Sequence, residues 1–112
     1  MISEDLLIQF GAEIRKVKKN ELIFEIGYYA RFYYQIVAGK VKMNNFTEDG
    51  KEFIQNIFVP GQSFGEPPLF IDELYPANAI AVTDGKILQI AKTAFYDLLE
   101  QHPAAALAVN RS

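Results

Sequence analysis

Glycine punctuates this chain at a nearly fixed interval. Gly27, Gly39, Gly50 and Gly61 stand 11 to 12 residues apart. That is the length of a short strand with its turn in an antiparallel sandwich or barrel. Between residue 12 and about residue 91 the segments are short and rich in Ile, Val, Phe and Tyr, which suit a pleated, half-buried surface. Val41 and Met43 alternate with Lys40, Lys42 and Asn44, predicting a strand with one wet face. Glu48-Asp49-Gly50-Lys51 reads as a hairpin turn in which Gly50 is free to take positive φ. Residues 53–59 make the return strand, and Pro60-Gly61 closes it. Residues 80–82 and 86–91 read as two more strands around Asp84-Gly85.

Both ends switch to helical signals. Ser3 suits an N-cap, and Glu4 and Asp5 suit the positive end of a helix dipole. Ile2, Leu6 and Phe10 recur every four residues as one apolar stripe, and Gly11 ends the element. Towards the other end, Phe95, Leu98 and Leu99 sit at i, i+3, i+4. Pro103 stops that helix and fits the first turn of another, where its missing N–H would have been an orphan. The order predicts a mainly β fold with flanking helices, a double-stranded β-helix or jelly roll. In such folds a pocket between strands is a common binding site.

Composition narrows the function classes. A chain of 112 residues is one domain's worth, and with half its residues hydrophobic it can bury a core. There is no cysteine, which excludes a disulfide scaffold, a thiolate zinc site and a cysteine nucleophile. His102 is the single histidine, which argues against a multi-histidine metal centre. The net charge of −3 argues against this piece gripping nucleic acid by its phosphates. No apolar run approaches the ~18 residues of a membrane helix, and no signal-peptide core follows Met1. The expectation is a cytoplasmic, non-catalytic globule with no membrane partner. Arg15, Lys16, Lys18 and Lys19 read as a solvated strand and turn, with contact to DNA or polymerase the alternative. Tyr28, Tyr29, Phe32, Tyr33 and Tyr34 read as core and strand surface rather than as the lining of a pocket. Residues 104–108, nearly all alanine, suit either a close-packed dimer seam or a surface helix.

One stretch breaks the strand pattern. Phe64-Gly65-Glu66-Pro67-Pro68-Leu69-Phe70 is followed by Tyr75-Pro76-Ala77-Asn78-Ala79. A glycine, an acid and a short helical turn between barrel strands can present free backbone N–H groups to a small anion. The acid can accept from a hydroxyl such as a ribose 2′-OH. Glu66 also has a purely structural reading, as a cap on backbone N–H groups of a neighbouring strand. Pro67-Pro68 likewise reads as a loop stiffener.

Taken in order, several pieces carry a resemblance. They are Gly27, the run from Tyr34 to Val41, Asp49-Gly50-Lys51-Glu52, Pro60-Gly61-Gln62-Ser63-Phe64-Gly65-Glu66 and Phe95-Tyr96-Asp97-Leu98-Leu99. The set resembles the cyclic nucleotide-binding domain of the Crp–Fnr family of bacterial transcription regulators, over almost the whole chain. The resemblance implies a cyclic nucleotide-binding-like β-roll over residues 1–102 and the start of a dimerisation helix over 103–112. It also implies a helix-turn-helix domain that this chain does not contain. Through the parent protein it implies DNA and RNA polymerase as partners, a homodimer through the C-terminal helix, and a small-molecule effector such as cAMP.

The family's cassette runs Phe-Gly-Glu, two apolar residues and Leu, then an Arg-Ser-Ala or Arg-Thr-Ala some ten residues on. In cyclic nucleotide binders the Glu takes the ribose 2′-OH and the Arg pairs with the cyclic phosphate, assisted by backbone N–H groups of the short helix. Phe64, Gly65 and Glu66 match. The arginine position falls on Ala77, the Ser/Thr position on Asn78 and the following alanine on Ala79. Ala77 offers no cation for a bidentate, charge-assisted pair, and Pro67 and Pro68 lack the N–H groups that would face the phosphate. Asn78 could donate one bond but brings no charge. The expectation is a kept fold with cAMP or cGMP binding weak or lost. The alternatives are a domain that binds cAMP or cGMP through altered contacts, and a cupin-type metalloenzyme, which needs two or three histidines and a glutamate around a metal.

Overall fold

The computed structural model describes residues 1–110. Among them eight strands and four helices follow one another. The order is α1 (Glu4–Gln9), β1 (Glu13–Val17), β2 (Leu22–Phe24), β3 (Phe32–Ala38), β4 (Val41–Phe46), β5 (Glu52–Phe58) and β6 (Ser63–Phe64), then α2 (Pro67–Ile71), β7 (Asn78–Ala81), β8 (Gly85–Ala91), α3 (Lys92–Gln101) and α4 (Pro103–Asn110). The strands form two antiparallel four-stranded sheets, ordered β1-β8-β3-β6 and β2-β7-β4-β5. The chain crosses between the sheets repeatedly, which makes the β-roll expected from the strand spacing.

The regular glycines are its turns. Gly27, Gly39, Gly50 and Gly61 all have positive φ, between +82 and +89°, a region costly for a residue with a Cβ. Gly39 is held most tightly, since a Cβ there would lie 2.6 Å from the Asp84 carbonyl oxygen and 2.8 Å from Thr83 Oγ1. The hairpin turn is closed by the Thr47 N–H donating to the Lys51 carbonyl at 2.8 Å.

Two sequence expectations are corrected. In β4 the alternation of Val41 and Met43 with wet neighbours fails at Asn44, which is fully buried. A bulge between Met43 and Asn44 resets the register and turns this side chain inward. Its Nδ2 donates to Glu52 at 2.6 Å, and Lys42 pairs with the same carboxylate at 2.7 Å. The hydrogen bonds from Lys42 and Asn44 hold the Glu52 carboxyl below its ordinary range. At the N-terminus Leu7, not Leu6, is fully buried, while Leu6 and Phe10 are only partly covered. Ile2 precedes the extended N-cap Ser3, whose Oγ accepts the Leu6 N–H at 3.0 Å, so the interval from Ile2 to Leu6 is not a helical repeat.

The first sheet is covered on one face by the helices. Tyr33 stacks on Phe95 of α3 at 4.2 Å, while Tyr34, on the opposite face of β3, stacks on Phe64 at 5.4 Å. Gln35 is fully buried; its Nε2 donates to the Ile2 carbonyl at 2.8 Å and its Oε1 accepts from the Tyr33 hydroxyl at 2.7 Å. Helix α2 is tied to α3 by three contacts. The Tyr96 hydroxyl donates to the Leu69 carbonyl at 2.8 Å, Phe70 packs on the rings of Phe95 and Tyr96, and Lys92 pairs with Asp72 at 3.6 Å.

The second C-terminal helix forms over Pro103–Asn110; the expectation carried it through residues 111–112, which lie outside the described residues. Ala105 of α4 is buried, and the Met1 ammonium donates to the Ala108 carbonyl at 2.9 Å. The basic cluster is a solvated strand and turn: Lys16, Lys18 and Lys19 are exposed, and Arg15 pairs with Glu21 at 3.0 Å. No helix among the described residues is long and apolar enough to cross a membrane.

Candidate functional site

Strand β6 ends against a packed aromatic wall. Phe24 and Tyr75 stack with centroids 3.7 Å apart and rings nearly parallel. Gly65 turns the chain over them with φ +77°; a Cβ at this position would lie 2.7 Å from the Phe24 ring. Glu66 follows as the N-terminal flank of α2, already in helical conformation, and its side chain makes no cap bond. Pro67 and Pro68 occupy the first two positions of α2. Their rings preset the helical φ and contribute no N–H. The helix ends after one turn at Asp72, which is left-handed at φ +55°.

This segment forms one wall of a cavity of about 480 Å³, within the usual range for small-molecule sites. Gly65, Glu66, Pro67 and Pro68 all line it, with Ile71, Glu73, Leu74 and Pro76 continuing the wall. Strands β4 and β5 supply the facing side with Met43, Gln55, Asn56 and Phe58. The other sequence-predicted residues sit behind this surface. Phe64, Ala77 and Ala79 are buried, and Asn78 Oδ1 accepts the Ile26 N–H at 2.8 Å. None of the four is on the cavity wall. The contributions of β4, β5 and Glu73 were not found from sequence. The apolar parity of Met43 was a usable signal for one of them, while Glu73 carries none.

Glu66 does not cap a neighbouring strand. Its Oε1 is buried and has no hydrogen-bond partner. The Tyr75 hydroxyl is also buried without a partner. Burial pushes the Tyr75 phenol up, reinforced by the nearby Tyr34 and by the negative field of Glu66. Burial likewise raises the Tyr33 phenol, and Glu66 adds to it. The cavity wall carries two carboxyl groups, Glu66 and Glu73, and no lysine or arginine.

A second cavity, of about 600 Å³, opens beside the β2–β3 connection. Tyr28, Tyr29, Phe32 and Tyr34 line it together with Arg31. These aromatics were expected as core and strand surface. Tyr33 and Tyr34 are indeed buried, but Tyr28 and Tyr29 are 64% and 60% exposed. The loop carries them past the end of the core, where they flank the opening. Tyr75 belongs to this second cavity and touches the space above Gly65, which belongs to the first. The Phe24–Tyr75 pair thus lines the second cavity and packs against Gly65 of the first.

Among the described residues no group of three or more His, Cys, Asp or Glu is placed to hold a metal ion. His102, the chain's single histidine, lies at the α3–α4 junction with its ring edge-on to Phe10 at 5.6 Å.

The β-roll and its Gly-Glu turn define the class. Residues 14–102 match the cyclic nucleotide-binding domain family, and the chain belongs to it. The catabolite activator protein of Thermus thermophilus is similar in structure, with a TM-score of 0.80 at 27% identity, over 96% of this chain and 52% of that one. The sensor domain of the transcriptional regulator DNR from Pseudomonas aeruginosa matches with a TM-score of 0.79 at 26% identity, over 95% of this chain and 70% of that one. By sequence, a lysophospholipase NTE1 of Pyricularia oryzae is 22% identical over 106 residues, which span 95% of this chain and 7% of that enzyme.

Proposed function

We propose that this chain is the non-catalytic, ligand-sensing domain of a bacterial Crp–Fnr-type transcription regulator whose cyclic nucleotide site has lost its grip on phosphate. The observation that supports this most is the coincidence of two losses at one ligand atom. A buried alanine, Ala77, stands where the family's phosphate-pairing arginine falls. Pro67 and Pro68 remove two N–H donors from the head of α2. A cyclic phosphate entering the cavity would meet Glu66 and Glu73 and no cation on the wall. A hydrogen bond to a charged group contributes about 1.5–3 kcal/mol, and leaving the charge buried without one costs more. Gly65 and Glu66 keep the ribose half of the cassette, so the cavity retains a hydroxyl acceptor without a phosphate partner.

On this reading residues 1–102 form the sensor. Residues 103–112 begin a dimerisation helix through which the parent forms a homodimer, reading DNA and touching RNA polymerase with further domains. An effector shifts the relation between roll and helix only if it binds the two arrangements with different affinity. Titration calorimetry with cAMP and with cGMP tests the proposal. The expected result is no saturable heat at micromolar ligand. A micromolar or tighter dissociation constant for either nucleotide overturns it, and would favour a domain that binds them through altered contacts.

A further inference from the structure

We infer that the α2 cavity recognises an organic cation, an amine carried on an apolar body, with Glu66 as its counter-charge. This rests on the reading that the phosphate grip is gone, and goes further by assigning the sign of the ligand's charge.

Three features of the wall act in the same direction. The first is Glu66, which lines the cavity while its Oε1 is turned into the protein with no hydrogen-bond donor. An acceptor left unsatisfied in this way is unfavourable, and a ligand donor relieves it once the carboxylate rotates into the cavity. The second is the balance of charge, since Glu66 and Glu73 are the ionisable residues of the wall. Cations on the surrounding elements are engaged or placed elsewhere. Lys42 pairs with Glu52 at 2.7 Å, Lys92 pairs with Asp72 at 3.6 Å, and Arg31 lines the other cavity. The third is the start of α2, where Pro67 and Pro68 withdraw the donors that would welcome an anion.

A neutral hydroxyl would satisfy Glu66 Oε1 but leave the charge uncompensated. An ammonium does both, through a charge-assisted bond roughly twice as strong as a neutral one. The rest of the surface suits the remainder of such a molecule. Met43, Phe58, Ile71 and Leu74 are apolar, and the thioether of Met43 adapts readily to an aromatic or aliphatic body.

The test uses three probes that share one indole body and differ in the charge of the head group. They are tryptamine, tryptophol and indole-3-propionate, titrated at neutral pH beside cAMP. The expected order is tryptamine first, at least tenfold tighter than the alcohol, or about 1.4 kcal/mol, with the acid weakest. Glu66→Gln keeps the size and an acceptor oxygen but removes the charge, and should bring the amine and alcohol to within about threefold. Thermal unfolding confirms that this variant folds. If it does not, Glu73→Gln, at an exposed position, should reduce the amine preference in part. Equal affinity for the three probes, tightest binding of the acid, or no binding of any probe overturns the inference. If cAMP is silent in the same titrations, the proposed loss of phosphate binding survives that failure. Micromolar cAMP binding would instead overturn the underlying reading.

Discussion

Rebuilding a phosphate grip residue by residue puts numbers on the proposed loss. The perturbation is Ala77→Arg, alone and combined with Pro67→Ala and Pro68→Leu. Ala77 is 0% exposed, so the new side chain must displace neighbours or thread into the cavity, and overpacking of this kind costs about 1–3 kcal/mol. A guanidinium that reaches the cavity meets the Glu66 and Glu73 side chains before any ligand. Phosphate must then compete with a carboxylate already in place. The single variant is therefore expected to gain at most about tenfold in cAMP affinity, one charged hydrogen bond at the low end of its range. The triple variant restores two backbone donors as well. Two or more charge-assisted bonds at about 1.5–3 kcal/mol each amount to at least about a hundredfold. Calorimetry with cAMP gives the affinities, and urea unfolding of each protein separates lost stability from lost binding. Nanomolar binding by Ala77→Arg alone would show that the prolines are irrelevant. No gain in a folded triple variant would show that position 77 does not serve the cavity.

Other outcomes follow from the turns and the buried phenols. Gly39→Ala and Gly50→Ala both force a Cβ to positive φ, costing about 1–2 kcal/mol, but only Gly39 faces a wall, at 2.6 Å from Asp84 O, while Gly50 faces open space. Gly39→Ala should therefore unfold at clearly lower urea, by an additional 1–3 kcal/mol or roughly that, and equal midpoints would refute the steric argument. Tyr75→Phe removes a buried hydroxyl that has no partner, so by denaturation it should be neutral or more stable by up to about 1 kcal/mol. Burial raises the Tyr33 and Tyr75 phenols in the folded protein, while unfolded tyrosine ionises near about pH 10. The unfolded state then releases its protons first. The contribution to stability is complete below about pH 10 and declines above it, and Tyr75→Phe should flatten that alkaline fall.

Much of the roll could be read from local chemistry. The glycine interval is a backbone requirement at each turn, so it shows in the sequence directly. The span Lys92–Gln101 was equally plain, because Phe95 and Leu98 repeat on one face and Pro103 stops the helix. The inward turn of Asn44 is not legible locally, because a bulge is decided by pairing with β5, not by the residue's own preference. The candidate site divides along the same line. Its Gly65 to Pro68 wall is contiguous and carries turn chemistry, whereas Met43, Gln55, Asn56 and Phe58 reach the cavity only when β4 and β5 fold across it. Whether Glu66 finds a hydrogen-bond donor depends on every neighbour at once, and no motif encodes it.

The ties between α2 and α3 give this single-turn helix a mechanical meaning. One side of α2 presents Pro67, Pro68 and Ile71 to the cavity. Its other contacts are the Leu69 carbonyl held by Tyr96, the Phe70 ring between Phe95 and Tyr96, and Asp72 held by Lys92. Prolines at its head leave little slack for the backbone to absorb a push. Such a piece is built like a rocker: a push on its cavity side bears on contacts it shares with α3. Phe95 of α3 is stacked in turn on Tyr33 of the central strand, which supplies the fulcrum.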